Sequence, residues 1–147
     1  MTEYLHTVQY YETDKMGITH HSNYIRWMEE ARVDYLNQIG WPYERLEASG
    51  IQSPVIGVDC KYKAPTTFPD QVRIRVSVEA FDGLRLRFRY EMRKDDRVVL
   101  EAHSEHCFLD TNGKILRVKR DYPELYELLA GFAAETASFP AAKRSCL

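Results

Sequence analysis

One carboxylate and two imidazoles lie close together in this chain: Asp14, His20 and His21, within the stretch Tyr11-Glu12-Thr13-Asp14-Lys15-Met16-Gly17-Ile18-Thr19-His20-His21-Ser22-Asn23-Tyr24. Such groups can attack a carbonyl, activate water or move a proton near neutral pH, with no metal and no tightly held cofactor. The plainer reading of Asp14 is an Asx turn or loop cap in Thr-Asp-Lys-Met-Gly, and composition alone favours it. A metal site is disfavoured. Adjacent histidines point in different directions, no third strong ligand lies nearby, and His103 and His106, three apart on an expected strand, face opposite sides. Glu29 and Glu30 read as a solvated or ion-paired helix face with Arg26 or Arg32.

Positioning these groups requires a strand, a loop and a helix in immediate succession. Residues 5–11 read as a first strand. Tyr24, Trp27, Met28, Ala31, Tyr35, Leu36 and Ile39 recur at helical spacing, which predicts an amphipathic helix over 22–39 with Ser22 as its N-cap, closed by Gly40 and Pro42. Its first turn is thereby fixed beside Asp14. Farther on the period changes to two: Val72, Ile74, Val76 and Val78, then Leu84, Leu86, Phe88, Tyr90 and Met92, alternate with polar residues. Turns are expected at Asp82-Gly83, Asp95-Asp96 and Asn112-Gly113, with strands over 98–109 and 115–118. A last helix is expected over 122–132, and 133–147 as a flexible C-terminal tail after a domain spanning 1–132. One long buried helix followed by meandering strands predicts an α+β layer with the antiparallel sheet curved around the helix. Its two edges invite pairing across a two-fold axis.

The 147 residues suit one domain, and a net charge of −2 with interspersed signs argues against a nucleic-acid protein. Cys60, Cys107 and Cys146 have neither metal-ligand spacing nor the density of a disulfide scaffold, which predicts reduced thiols in a cytoplasmic protein, the first two buried. No segment approaches membrane-spanning length, so no membrane insertion is expected.

The order and spacing of several features together resemble one family, the hot-dog-fold acyl-CoA thioesterases of the 4-hydroxybenzoyl-CoA thioesterase type. They are Asp14 soon after the first strand, Gly17, His21 seven residues beyond the Asp, Asn23-Tyr24, Arg26-Trp27 and Gly40-Trp41-Pro42. Pro54 to Cys60, Ala64-Pro65 and Asp70 ahead of an alternating strand extend the likeness. The resemblance implies a long central helix wrapped by a curved antiparallel sheet and a homo-oligomer, a dimer or a dimer of dimers. It also implies no cofactor and no metal. The activity it implies is hydrolysis of an acyl or aroyl thioester to the free acid and coenzyme A, with an acyl carrier protein as an alternative donor. Asp14 would be nucleophile or general base, His21 would assist, and the helix start around His21, with Gly17, Ser22 and Asn23 as loop support, would face the oxyanion. His20 would line the pocket, with Asp59, Lys61, Lys63, Arg85, Arg87 and Arg89 as candidate substrate contacts. His20, Lys15-Met16 and Pro69 depart from the family's usual residues, which bears on the acyl group more than on the chemistry. A non-catalytic acyl-thioester-binding module and a dehydratase on the same fold are the competing readings.

Overall fold

In a computed structural model, which describes residues 1–138, the chain forms five strands and four α-helices. They are β1 (Tyr4–Thr7), α1 (Ser22–Gln38), α2 (Tyr43–Ala48), β2 (Val55–Tyr62), β3 (Gln71–Phe81), β4 (Arg85–Lys94), β5 (Arg97–Cys107), α3 (Val118–Asp121) and α4 (Pro123–Ala137). The strands make one antiparallel sheet in the order β1-β3-β4-β5-β2, with Tyr4 opposite Ile74 and Thr7 opposite Gln71. The expected period-two alternation is realised from Leu86 onward: Leu86, Phe88, Tyr90 and Met92 are buried on β4 while the arginines and glutamate between them stay at least partly exposed. Leu84, expected in the same series, lies ahead of the strand and is 43% exposed. Tight reversals fall where the turn residues predict them, with Gly83 at φ +92° and Asp95 at φ +53°. Among the described residues no helix is long and apolar enough to cross a membrane.

The chain divides into two compact units. The first comprises Met1–Leu46, Asp59–Val76 and Tyr90–Ala102, and the second Glu47–Val58, Ser77–Arg89 and the chain from His103 onward. The first contains α1, whose apolar stripe is buried from Tyr24 to Leu36, with Ile39 half-buried. The helix ends in a Schellman motif: the Gly40 and Trp41 N–H groups bond to the Asn37 and Leu36 carbonyls, and Gly40 has φ +85°. Arg32 turns inward rather than toward Glu29 or Glu30, donating to the hydroxyls of Tyr43 and Tyr90 at 3.1 and 3.0 Å. In the second unit Val78, Leu86, Phe88, Phe108, Val118, Leu125 and Leu129 are buried, and Tyr122 donates to the Ser49 carbonyl at 2.7 Å.

Several elements differ from the sequence reading. The first strand stops at Thr7, and Tyr10–Glu12 is a 3₁₀ turn, because Gln9 exchanges hydrogen bonds with Glu12: the Glu12 N–H donates to the Gln9 carbonyl and the Gln9 N–H to Glu12 Oε1. Ser22 is the first helical residue rather than the cap, and His21 occupies the cap position in αR conformation. Helix α2 follows Pro42 unannounced. Residues 115–118 form no strand: Ile115 makes an isolated bridge to Leu109 and Val118 opens α3. Helix α4 continues five residues past Phe132; 139–147 of the expected tail, with Cys146, lie outside the described residues. Cys60 and Cys107 are free thiols but half-buried rather than buried.

The first unit is also held by a buried polar network. Glu12, 4% exposed, accepts at Oε2 from Trp27 Nε1 on α1 at 2.7 Å, and at Oε1 from the Gln9 N–H at 2.8 Å while meeting His6 Nε2 on β1 at 2.9 Å. The other ring nitrogen of His6 meets Glu30 Oε1 at 2.9 Å, and Tyr4 donates to the same oxygen. Both His6 contacts are satisfied together when the ring carries two protons. Burial, Glu30's hydrogen bond and charge, and the Asp34 charge push the Tyr4 phenol up to about 12. Burial pushes Glu12 upward too, but the bonds from Gln9, Trp27 and His6 outweigh it and hold the carboxyl below the ordinary carboxylate range.

Three stability predictions follow from the fold. Because Glu12 is depressed in the folded state, its contribution is present above the unfolded carboxylate pKa of about 4.3 and disappears as pH falls through the lower native value. Glu12→Gln is expected to cost about 2 kcal/mol at pH 7, read from urea midpoints, with the gap to wild type narrowing below about pH 4. Gly40→Ala, with nothing within 4 Å of an added Cβ, is expected to cost about 1 kcal/mol through its left-handed φ alone. Gly131→Ala inside α4, equally uncrowded, is expected to stabilise by roughly 0.5–1 kcal/mol.

Candidate functional site

The loop between the 3₁₀ turn and α1 is a miniature hairpin. Thr13 bridges Thr19, the Asp14 N–H donates to the Ile18 carbonyl at 2.9 Å, and the His20 N–H donates to the Glu12 carbonyl at 2.8 Å. Gly17 supplies the reversal at φ +80° and donates its N–H to the Asp14 carbonyl. This register sets the arm bearing Asp14 against the arm leading to His20, His21 and the helix start. The hairpin is pinned from outside: Thr19 N–H and Oγ1 both bond to the Thr66 carbonyl, Thr19 and Tyr24 hydroxyls meet Thr66 Oγ1 at 2.7 and 2.9 Å, and Thr67 Oγ1 donates to the Gly17 carbonyl.

Asp14 is half-buried, and its Oδ1 accepts the Met16 N–H at 2.8 Å. The Asx turn expected on composition is therefore present, and Oδ2 has no hydrogen bond among the described residues. At the helix start, the Asn23 and Tyr24 N–H groups donate to the His20 and His21 carbonyls, and the Ser22 N–H donates to His20 Nδ1 at 3.3 Å. Ser22 Oγ is engaged by the same imidazole nitrogen at 2.8 Å. The N–H of His21 is left without an acceptor among the described residues, at the positive end of a 17-residue helix. Asn23 is buried, and its Nδ2 donates to the Glu12 and His20 carbonyls at 3.0 and 3.2 Å.

The two histidines are exposed and stacked, with ring centroids 4.4 Å apart. His21 meets Tyr62 of β2 edge-on at 6.2 Å, and Tyr62 donates its hydroxyl to the His21 carbonyl at 3.4 Å. Burial, then Cys60, then Tyr24 raise the Tyr62 phenol above its ordinary range. Asp59, Lys61 and Lys63 belong to the same unit as this loop; Asp59 and Lys61 are exposed on β2, and Lys63 is half-buried just beyond it. Arg85, Arg87 and Arg89 belong to the other unit. Arg87 is paired with Glu79 and Glu105 at 2.7 and 2.9 Å, and Arg85 is exposed. Glu29 and Glu30 line a shallow groove of about 350 Å³ with Tyr4, Val33, Asp34 and Asn37. Among the described residues no cluster of His, Cys, Asp and Glu could hold a metal ion.

Sequence reasoning missed Glu12, His6, Tyr62 and the threonines at 66 and 67. One signal existed: His6 sits between Leu5 and Thr7 at the inward position of a strand, where an imidazole needs a partner.

Comparisons with known proteins identify the family and the fold. The model of the thioesterase-like superfamily matches residues 8–144. A crystal structure of a hypothetical protein from Aquifex aeolicus superposes with a TM-score of 0.80 at 35% identity, covering 86% of this chain and 98% of that one. The DHNA-CoA thioesterase from Staphylococcus aureus superposes with a TM-score of 0.86 at 30% identity, covering 92% and 93%. A 1,4-dihydroxy-2-naphthoyl-CoA hydrolase of Thermosynechococcus vestitus is 26% identical over 112 residues, 74% of this chain and 76% of its own. A sheet in this strand order, a hairpin loop opening onto a long buried helix, and a family match over nearly its whole length together mean that the chain belongs to the thioesterase-like superfamily and has the hot-dog fold.

Proposed function

We propose that this thioester hydrolase cleaves acyl-CoA thioesters to the free acid and coenzyme A, with Asp14 as nucleophile or general base and the N–H of His21 as oxyanion donor. The observation that supports the reading is the hairpin itself: one arm bears Asp14, whose Oδ2 is unbound among the described residues, and the other leads to a helix start with one unbound N–H. A thioester carbonyl oxygen at the His21 N–H gains a hydrogen bond and the helix dipole as negative charge develops on it; such a donor is worth about 2.7–4 kcal/mol in other enzymes. Asp14 Oδ2 then either attacks the carbonyl carbon or takes a proton from the attacking water. On the first route the C–S bond breaks to leave the acyl group on Asp14 as a mixed anhydride, which a water then hydrolyses to the free acid and the restored carboxylate. On the second, water adds directly and the C–S bond breaks to give the acid. On either route coenzyme A leaves as a thiolate and takes up a proton. A thiolate leaves without help from a strong general acid. His21 is suited to orient water beside Asp14, and His20 and Tyr62 to bound the acyl group. Lys61, Lys63, Arg85 and the half-buried Arg89 remain individual candidates for coenzyme A phosphates, with Arg87 a weaker one because two carboxylates already neutralise it. An acyl carrier protein presenting the same pantetheine arm is the alternative donor. The free thiols of Cys60 and Cys107 suit a reducing cytoplasm.

We also infer a homo-oligomer, a dimer or a dimer of dimers. Strand β2 is at one edge of the sheet and has no buried residue, with Val55, Ile56, Val58 and Tyr62 between 42% and 49% exposed. A long apolar edge of this kind is a pairing surface for a second copy.

Asp14→Asn is the informative substitution, since an amide oxygen can still accept the Met16 N–H and keep the Asx turn while the charge is lost. Its kcat on a panel of short, long and aromatic acyl-CoAs is expected to fall about 100-fold or more, read as free-thiol release. Wild-type turnover would refute the assignment, and substrate binding without turnover in the wild type would favour the non-catalytic module. Charging the edge with Ile56→Glu and Val58→Glu together is expected to reduce the mass measured by light scattering to that of a single chain.

A further inference from the structure

Glu12 has no part in the proposed hydrolysis, yet its carboxylate is buried and fully engaged beside the loop that carries Asp14. Three donors surround it within 2.9 Å: the Gln9 N–H from the start of the turn, His6 Nε2 from β1 and Trp27 Nε1 from α1. At 4% exposure the geometry of this anion is set by protein donors rather than by water. The other end of the same residue faces the site. Its carbonyl oxygen accepts the His20 N–H at 2.8 Å and Asn23 Nδ2 at 3.0 Å, and the next residue, Thr13, makes the bridge that closes the Asp14 hairpin. Trp27 lies on the first turns of the helix whose start carries the His21 N–H. One residue therefore grips the helix through its side chain and, through its backbone, grips the segment joining loop to helix.

We propose that Glu12 is a positioning residue for the reaction: its buried carboxylate, anchored to Trp27 and His6, fixes the register between the arm carrying Asp14 and the helix start carrying the His21 N–H. This inference rests on the assignment of those two groups to the chemistry. Loss of the anion frees the Glu12 carbonyl to shift, and the pair it registers moves apart while the rest of the binding surface stays in place.

The test compares Glu12→Gln, Trp27→Phe, Asp14→Asn and the double variant Glu12→Gln/Asp14→Asn, each at a temperature where circular dichroism shows it folded. The readouts are kcat, KM and affinity for a non-hydrolysable thioether analogue of a good substrate. Glu12→Gln places an amide where at least one donor N–H must face another. Its kcat is expected to fall about 30- to 100-fold, as displacements near 1 Å do elsewhere. Trp27→Phe, which keeps an aromatic ring but removes the indole N–H, is expected to lose about tenfold, and it decides the matter if Glu12→Gln does not fold. Analogue affinity is expected to stay within about threefold in both, and the double variant is expected to be no slower than Asp14→Asn alone, because a misplaced group and an absent one fail together. A kcat within about twofold of wild type in folded Glu12→Gln, with Asp14→Asn inactive, would overturn the positioning role and leave the catalytic assignment standing. Analogue affinity falling in step with kcat, or losses that multiply in the double variant, would also overturn it, marking a general structural role. Wild-type turnover in Asp14→Asn would remove the assignment on which the proposal rests.

Discussion

A carboxylate removed from water must be surrounded by donors, and at Glu12 that requirement organises everything upstream of the helix. Its donors come from β1, from Gln9 and from α1, so the three can satisfy it only in one mutual arrangement. The demand explains why the first strand gives way after Thr7 to a 3₁₀ turn. Continuing the strand would carry Glu12 away from the Gln9 N–H, whereas the turn brings the two residues face to face and leaves Tyr10 and Tyr11 exposed. The loop that follows begins from a fixed point.

The helix start shows the complementary feature, a capping arrangement that is deliberately incomplete in its geometry. A serine or aspartate at the cap position would direct its own oxygen at the first-turn N–H groups and occupy the place of any ligand oxygen. Here His21 caps with no side-chain bond, and the first-turn donors are taken by the His20 ring and by the His20 and His21 carbonyls. Each of those acceptors lies within the segment itself. The arrangement stabilises the end of the helix and leaves the His21 N–H without an acceptor among the described residues, as the proposed oxyanion role requires.

The sheet and the long helix were legible because both rest on periodicity. Alternation at Val72 to Val78 and at Leu84 to Met92 requires only that one face be buried, and the α1 stripe requires only a spacing of three and four. Gly40 and the Asp82-Gly83 turn were equally readable from local backbone demands. What stayed hidden depends on side chains far apart in sequence. The cap position is an exception, since the imidazole that accepts the Ser22 N–H is that of His20, only two residues away. Glu12 reads as one more polar residue ahead of a loop, since its partners at 6 and 27 come near it only in the folded chain. Residues 115–118 fail as a strand for a related reason: Ile115 finds one bridging partner in Leu109, and Val118 is drawn into the buried cluster of the second unit. Asp14 stood between these cases, with a local turn reading and a reading that needed the surrounding pattern.

Those two readings of Asp14 turn out to be compatible. The Met16 N–H holds Oδ1, which restricts the rotation of the carboxylate, and Oδ2 has no hydrogen bond among the described residues. In the role proposed for Asp14, an oxygen held this way has already lost part of the entropy that a freely rotating side chain gives up on reaching the transition state, one of the larger contributions a protein can make to a rate. The Asx turn, taken alone a reason to doubt a chemical role, is thus compatible with the one proposed for Asp14. The same logic runs outward from it. The turn orients the carboxylate, Gly17 lets the turn close, the threonines at 19, 66 and 67 hold the closed hairpin, and the buried anion at Glu12 sets the hairpin against the helix.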